Sequence, residues 1–340
     1  MSRDDHTSRQ SLSETSLFDP PTQGNRKSAT RQERVYQWFD RFVYAPAKVG
    51  FTDWRMPLGL AIVSVFIVIG TVGFRFVPEP SLNEAAPYTA PFVNMDVPLG
   101  TDRMGQGIAK QLVHATPAML QMALAGAIFA TGVAVIIGIV AGYKGGKVDS
   151  GLMTMTDIVM TIPALPLVIL LAAVYQPKNP FLVGIILAID NWPGLARSLR
   201  SQVLTIREDS YVEAARAMGV SSSTIMERDI APQLMPYILI NAASSARAVI
   251  FESVALYFLG FLPFSTFNWG VMMNLAYQAG ALSNMGRAGH WLLAPMFVLT
   301  LFSFGLIILS QGLDRVFNPQ LRARHARTLS DDDEADIQNK

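Results

Sequence analysis

The chain has no cysteine among its 340 residues, which excludes disulfides and thiolate metal sites and leaves the redox compartment unread. Histidine is scarce as well: His6, His114, His290 and His325 are scattered, and no two have metal-ligand spacing. A phosphate-binding loop is missing, because the nearest candidate, Gly145-Gly146-Lys147, is followed by valine and lacks the required glycine five residues before Gly146. The chain is therefore not expected to hydrolyse ATP, and no catalytic residue, cofactor or metal is assigned to it. Charge is also sparse. Charged residues make up 16% and apolar residues 51%, whereas a typical soluble domain carries about 25% charge. The charges cluster and leave long apolar runs between them, which points to a polytopic membrane protein rather than two soluble domains.

A spanning helix needs about 20 largely apolar residues. Six segments meet or approach this: 57–77, 117–143, 151–175, 181–197, 236–261 and 291–313. The fourth is the shortest, and Asp190, Asn191 and Pro193 interrupt it. Only helices or closed barrels satisfy backbone groups in lipid, so the expected fold is all-α with six transmembrane helices. Pro163, Pro166 and Pro193 each remove a backbone donor and are expected to bend their helices. The polar first 55 residues lack an apolar run near Met1 and are not read as a cleavable signal peptide. The expected domains are a tail over 1–55, a transmembrane domain over 56–313 and a second tail over 314–340. Tyr36, Trp38, Phe39, Phe42 and Tyr44, set among Arg34, Arg41 and Lys48, suggest an amphipathic surface helix over 35–49. Residues 1–27 and 328–340, the latter with Asp331-Asp332-Asp333-Glu334, have the composition of disordered tails.

Basic residues orient the chain. With both termini, the 144–150 turn and the 197–235 loop on the cytoplasmic side, only Arg75, Arg103, Lys110, Lys178 and Arg287 fall outside, and Arg247 lies within a span. A cell-membrane, multi-pass protein with cytoplasmic termini is expected, with lipid around it and no nucleic-acid partner.

Residues 205–232 form a polar loop between two apolar segments and read as helix–turn–helix. Tyr211, Ala214, Ala215 and Met218 fall on one stripe. Gly219 permits the left-handed backbone that ends a helix, Ser221 or Ser222 can cap the next, and Pro232 is expected to stop it. Two alanines on an exposed stripe leave room for another protein's surface; an amphipathic loop lying on its own membrane domain is the other reading.

Four charged residues fall within or beside the spans: Asp157, Asp190, Arg247 and Glu252. Arg247 lies about 17 Å into the fifth span, near the midplane, where an arginine costs about 2.5–3.5 kcal/mol. Glu252 points about 140° away from it, leaving Asp190 and Asp157 as available counter-charges for Arg247. These four are candidates to line or gate a polar pathway, or to fix helix register as ion pairs. Asn241, Ser244 and Ser245 add a small polar face suited to helix packing.

Glu213-Ala214-Ala215 followed after three residues by Gly219 resembles the EAA loop of binding-protein-dependent ABC importer permeases. Pro98-Leu99-Gly100-Thr101-Asp102, Ala141-Gly142-Tyr143 with Gly145-Gly146, Trp192-Pro193-Gly194 and Ser210-Tyr211-Val212-Glu213 are similar to the oligopeptide, dipeptide and nickel permease subfamily. The resemblance runs from about Trp54 to Arg322. It implies a type I importer permease fold, a homologous second permease subunit, two ATPase subunits and an extracytoplasmic binding protein. It further implies that Tyr211, Glu213, Ala214, Ala215, Met218, Gly219 and Pro232 couple to the ATPase, with both alanines in its groove. Two departures stand out: Ala231-Pro232 replaces the usual Leu-Pro, and Gly105-Gln106-Gly107 lacks the charges of the family's Gly-Arg-Asp set. The competing class is an ion-driven secondary transporter, for which Asp190, Arg247 and Glu252 would be the relay. Peptides, nickel complexes and sugars are all open as cargo, with oligopeptide or dipeptide expected.

Overall fold

The computed structural model describes residues 53–263 and 267–317, all within the unit Val49–Lys340. The expected surface helix at 35–49 and the extreme tails lie outside the described residues. Among those residues the architecture is all-helical, with an isolated Thr101–Gly107 bridge as the one strand-like pairing. Helix α1 is Arg55–Phe76 and α2 is Ile108–Lys144. The next four are α3 (Gly146–Thr161), α4 (Ala164–Tyr175), α5 (Pro180–Leu187) and α6 (Trp192–Ile206). Then come α7 (Ser210–Ala217), α8 (Ser222–Phe258), α9 (Trp269–Gln278) and α10 (Met285–Phe317).

Four helices, α1, α2, α8 and α10, are long and apolar enough to cross a membrane, and α3 with α4 makes a fifth if that bent pair is one span. The chain is a multi-pass membrane protein. Two of the expected spans differ from single helices. Segment 151–175 is broken between α3 and α4 by an 82° bend, because Pro163 drives Ile162 into an extended conformation (ψ 126°). Segment 181–197 divides at 188–191 into α5, too short to cross, and the amphipathic α6. Pro193 bends nothing; it sits in the first turn of α6, where its missing N–H is harmless. Nor does Pro232 stop a helix. α8 runs through it, because a π-helical turn at Met226–Ile230 precedes the proline and widens the hydrogen-bond pattern around its ring.

α2 is the axis of the molecule. Its 37 residues span about 55 Å at 1.5 Å per residue, and α1, α3, α5, α6 and α8 all pack on it. Small residues make these approaches close. A Cβ on Gly138 would stand 2.7 Å from the Ala196 carbonyl oxygen, and one on Gly142 would stand 2.9 Å from that of Arg200, both on α6. Gly126 likewise meets Gly184 of α5 and Val249 of α8. α1 lies along α10 through Gly59, Gly305 and Gly312, and Phe66, Trp269 and Phe302 lock α1, α9 and α10 edge to face. Leu124, Ile128, Ile158, Leu165, Leu170 and Val174 point outward, as apolar side chains on lipid-exposed faces do.

Both ends of the bundle are pinned by polar groups. Asp53 accepts the Arg55 N–H at 3.0 Å and pairs with Arg315 of α10, and these together hold its carboxyl below the usual carboxylate range. At the opposite end, residues 77–107 fold over the start of α2. The Asp102 carboxylate accepts the N–H groups of Met104 and Gln106 at 2.7 and 2.9 Å. Thr101 donates its hydroxyl to the Ala86 carbonyl at 2.7 Å, and His290 Nε2 lies 3.1 Å from the Thr101 carbonyl. Gly100 has φ +79° and no room for a Cβ against Thr89 and His290. The Pro98–Asp102 motif is thus the brace of this cap, and Gln106 serves it through its backbone despite the missing charges. Burial alone would raise the Glu84 carboxyl, but the Ser81 N–H and the Lys110 ammonium, 2.9 Å away, hold it below its ordinary value.

Candidate functional site: the loop helices of 205–232 and the charged groups of the spans

Helix α7 begins after Asp209 and ends in a Schellman turn. The Val220 N–H donates to the Ala215 carbonyl at 3.1 Å and the Gly219 N–H to that of Arg216 at 3.0 Å. Gly219 holds φ +78°, with open space where a Cβ would stand, so only its backbone conformation demands glycine. Ser221, rather than Ser222, caps the next helix by accepting the Thr224 N–H. The turn is therefore fixed by local chemistry.

The expected stripe divides in two. Tyr211, Ala214 and Met218 are exposed, Met218 by 75%, whereas Ala215 is buried at 9% beside fully buried Val212. The outward-facing alanine pair is accordingly corrected to Ala214 alone: Val212 and Ala215, three residues apart, share the inward phase, and Ile225 and Ile230 are buried with them. Tyr211 accepts a hydrogen bond from Gln233 Nε2, tying α7 to α8 next to exposed Pro232. Glu213 is exposed and lines a cleft of about 550 Å³ with Tyr143, Lys144, Arg207, Glu208 and Arg216.

That cleft lies against the C-terminal end of α2, and sequence reasoning missed what lines it. Arg207 Nη1 donates to the Gly142 carbonyl at 3.0 Å. The Arg216 guanidinium sits over the Tyr143 ring, 5.5 Å from its centroid. Arg200 forms a two-pronged pair with Asp149 at the start of α3. The available signal was a run of arginines facing a Gly-Tyr helix end, where exposed carbonyls and the helix dipole favour cations.

The charged groups of the spans do not assemble as expected. Asp157 pairs with Arg197, because α3 packs on α6 and not on α8. Asp190 sits in the break between α5 and α6, within coulombic reach of Glu252 on α8, a group of its own sign. One Asp190 carboxylate oxygen is buried with no hydrogen-bond partner among the described residues. Arg247 is half-buried and makes no ion pair with a described residue, so neither acid serves as its counter-charge. Asn241 donates to the Tyr237 carbonyl of its own helix at 2.8 Å.

Apolar helices around a small-residue axis, and a short polar helix–turn–helix held at one end, define an α-helical multi-pass membrane protein. The chain belongs to the family of binding-protein-dependent transport system inner membrane components, whose match covers residues 134–323, more than half its length. It is 29% identical to the dipeptide transport system permease protein DppC of Bacillus subtilis over 269 residues, 78% of this chain and 81% of that one. It is 27% identical to the oligopeptide transport system permease protein OppC of the same organism, over 77% of this chain and 86% of that one. The OppC of Lactococcus lactis is 29% identical over 77% of this chain and 89% of its own.

Proposed function

We propose that the chain is a permease subunit of an ATP-driven, binding-protein-dependent importer of oligopeptides or dipeptides, coupled to ATPase subunits through α7. The observation that carries this reading is the helix–turn–helix of 210–230, which offers Glu213, Ala214 and Met218 outward from a turn fixed by Gly219. A partner groove takes up such a helix by its exposed small and apolar residues. The cargo follows from the relatives named above, all peptide permeases.

In this reading six crossings in the type I arrangement form half of a pathway, with α5, the 188–191 break and α6 as the fourth. A homologous permease supplies the other half, two ATPases bind the loops of 205–232, and an extracytoplasmic protein delivers cargo. Both tails, 1–55 and 314–340, are cytoplasmic, on the side where basic residues gather. Tyr211, Glu213, Ala214, Met218, Gly219 and Pro232 form the coupling surface, with Ala215 supporting it from beneath. Asp190, Glu252 and Arg247 border the pathway, and Asp157 acts through Arg197. ATP changes the relative stability of two conformations, which is what coupling requires.

The test is affinity purification of tagged protein co-expressed with the products of neighbouring genes, followed by an ATPase assay of the eluate. Wild type retains an active ATPase, and Glu213→Ala and Gly219→Asp lose it. Wild type that comes down alone, yet supports uptake, overturns the reading in favour of ion-driven transport.

A further inference from the structure

The coupling helix reaches the axis of the molecule through side chains. α7 packs on the start of α8 and is not among the helices laid along α2. Across the intervening cleft, Arg216 of α7 closes on the last turn of α2, its guanidinium 5.5 Å from the centroid of the Tyr143 ring; beside it Arg207, at the end of α6, holds the Gly142 carbonyl at 3.0 Å. Tyr143 is 9% exposed, so its ring holds a fixed place. The carbonyls of that turn have no partner within the helix, and the dipole makes the end an attractor for cations. Gly142 is in turn pressed on α6, which is tied through Arg200 to Asp149 on α3. The last turn of α2, the first of α3 and the body of α6 are thus tied to one another.

At its other end, about 48 Å away along an uninterrupted rod, α2 carries Lys110 and Gln111. Lys110 holds Glu84 at 2.9 Å and Gln111 holds Asp102 at 2.9 Å, and through them the cap over 77–107. Pro117 is the only proline in the helix and leaves it unbroken.

We infer that Arg216 on Tyr143 is a latch that makes a displacement of α7 a displacement of α2, and so delivers it to the cap at the far end. The inference rests on α7 being the coupling helix, and it assigns to Arg216 and Tyr143 a positioning role that the exposed coupling surface does not include.

The absence of cysteine permits the test. An environment-sensitive fluorophore is placed on Met95→Cys, which is 77% exposed in the cap, and the co-purified complex is titrated with ATP and with a non-hydrolysable analogue. Nucleotide is expected to change the fluorescence in the parent, and Tyr143→Phe, which keeps the ring, preserves the response. Tyr143→Leu and Arg216→Ala should reduce it about fivefold, the order that one cation–π pair supplies, with the ATPase still bound and active. Arg216→Lys recovers part of it. An undiminished response in Tyr143→Leu overturns the latch. So does loss of the ATPase from Arg216→Ala while Tyr143→Leu keeps both partner and response, since Arg216 would then hold the partner and not α2. A parent that binds no ATPase at all fails the permease reading instead.

Discussion

Gln111 Nε2 donates to the Asp102 carboxylate at 2.9 Å, and both side chains are 4% exposed. The bond joins the first turn of α2 to the loop ahead of it, while the other oxygen of the carboxylate takes two backbone N–H groups. Asp102→Ala strands all three donors in a buried site, at a cost of about 1–3 kcal/mol for a deserted buried group. Asp102→Asn keeps an acceptor for the two N–H groups and is milder. The expected outcome is a lower thermal midpoint for Ala than for Asn, with early proteolysis inside 77–107, read on the purified complex.

Glycines of α2 sort by what faces them. Gly138→Val puts a branched side chain onto the Ala196 carbonyl, while Gly132 has nothing within 4 Å. Gly132→Ala gains helix propensity of up to about 1 kcal/mol, whereas overpacking at Gly138 costs about 1–3 kcal/mol or more. Size-exclusion profiles of the two variants in detergent should show a monodisperse Gly132→Ala and an aggregated Gly138→Val.

Acid should loosen the cap. The Glu84 carboxyl is held below its ordinary value of 4.5 in the folded chain. A depressed carboxylate contributes stability that is fully present above the unfolded value and is lost as pH falls through the folded one. Protease sensitivity at 77–107 should accordingly rise below about pH 4.5 in wild type. Glu84→Gln should already be sensitive at pH 7 and change less with acid.

Much of this was legible in the sequence, for identifiable reasons. The turn at Gly219 and the cap at Ser221 follow from residues within one turn of each other, so local chemistry sufficed. The inward phase of Val212 and Ala215 was not decided locally, because two apolar stripes overlap on α7 and only tertiary packing selects between them. Asp157 shows the same limit. Its partner Arg197 lies 40 positions on, and no periodicity announces that α3 will lie on α6. Pro232 misled because a proline ends a regular α-helix but not one that has just taken a wider turn.

Asp190 offers a sharper test of transport. Its buried oxygen lacks a described partner and it lies within coulombic reach of Glu252. Asp190→Asn removes that charge with little change in shape. Uptake of a radiolabelled tripeptide in cells should fall about tenfold or more, within the range of functional coupling energies, with protein abundance unchanged on immunoblot. Uptake equal to wild type would remove Asp190 from the pathway.

The wide turn at Met226–Ile230 has a consequence for everything after it. One residue added to a single turn rotates all later side chains by about 100° relative to an unbroken α-helix. The bearing of Asn241, Ser244, Arg247 and Glu252 is thus set by a feature about three to six turns away, on the same strip of chain as the helix–turn–helix of 210–230. Excising one residue there would leave every later amino acid in place and yet aim each of them at a different neighbour. Such a turn works as an adjustable phase, a means by which a lineage can re-aim an entire helix without altering any residue on it.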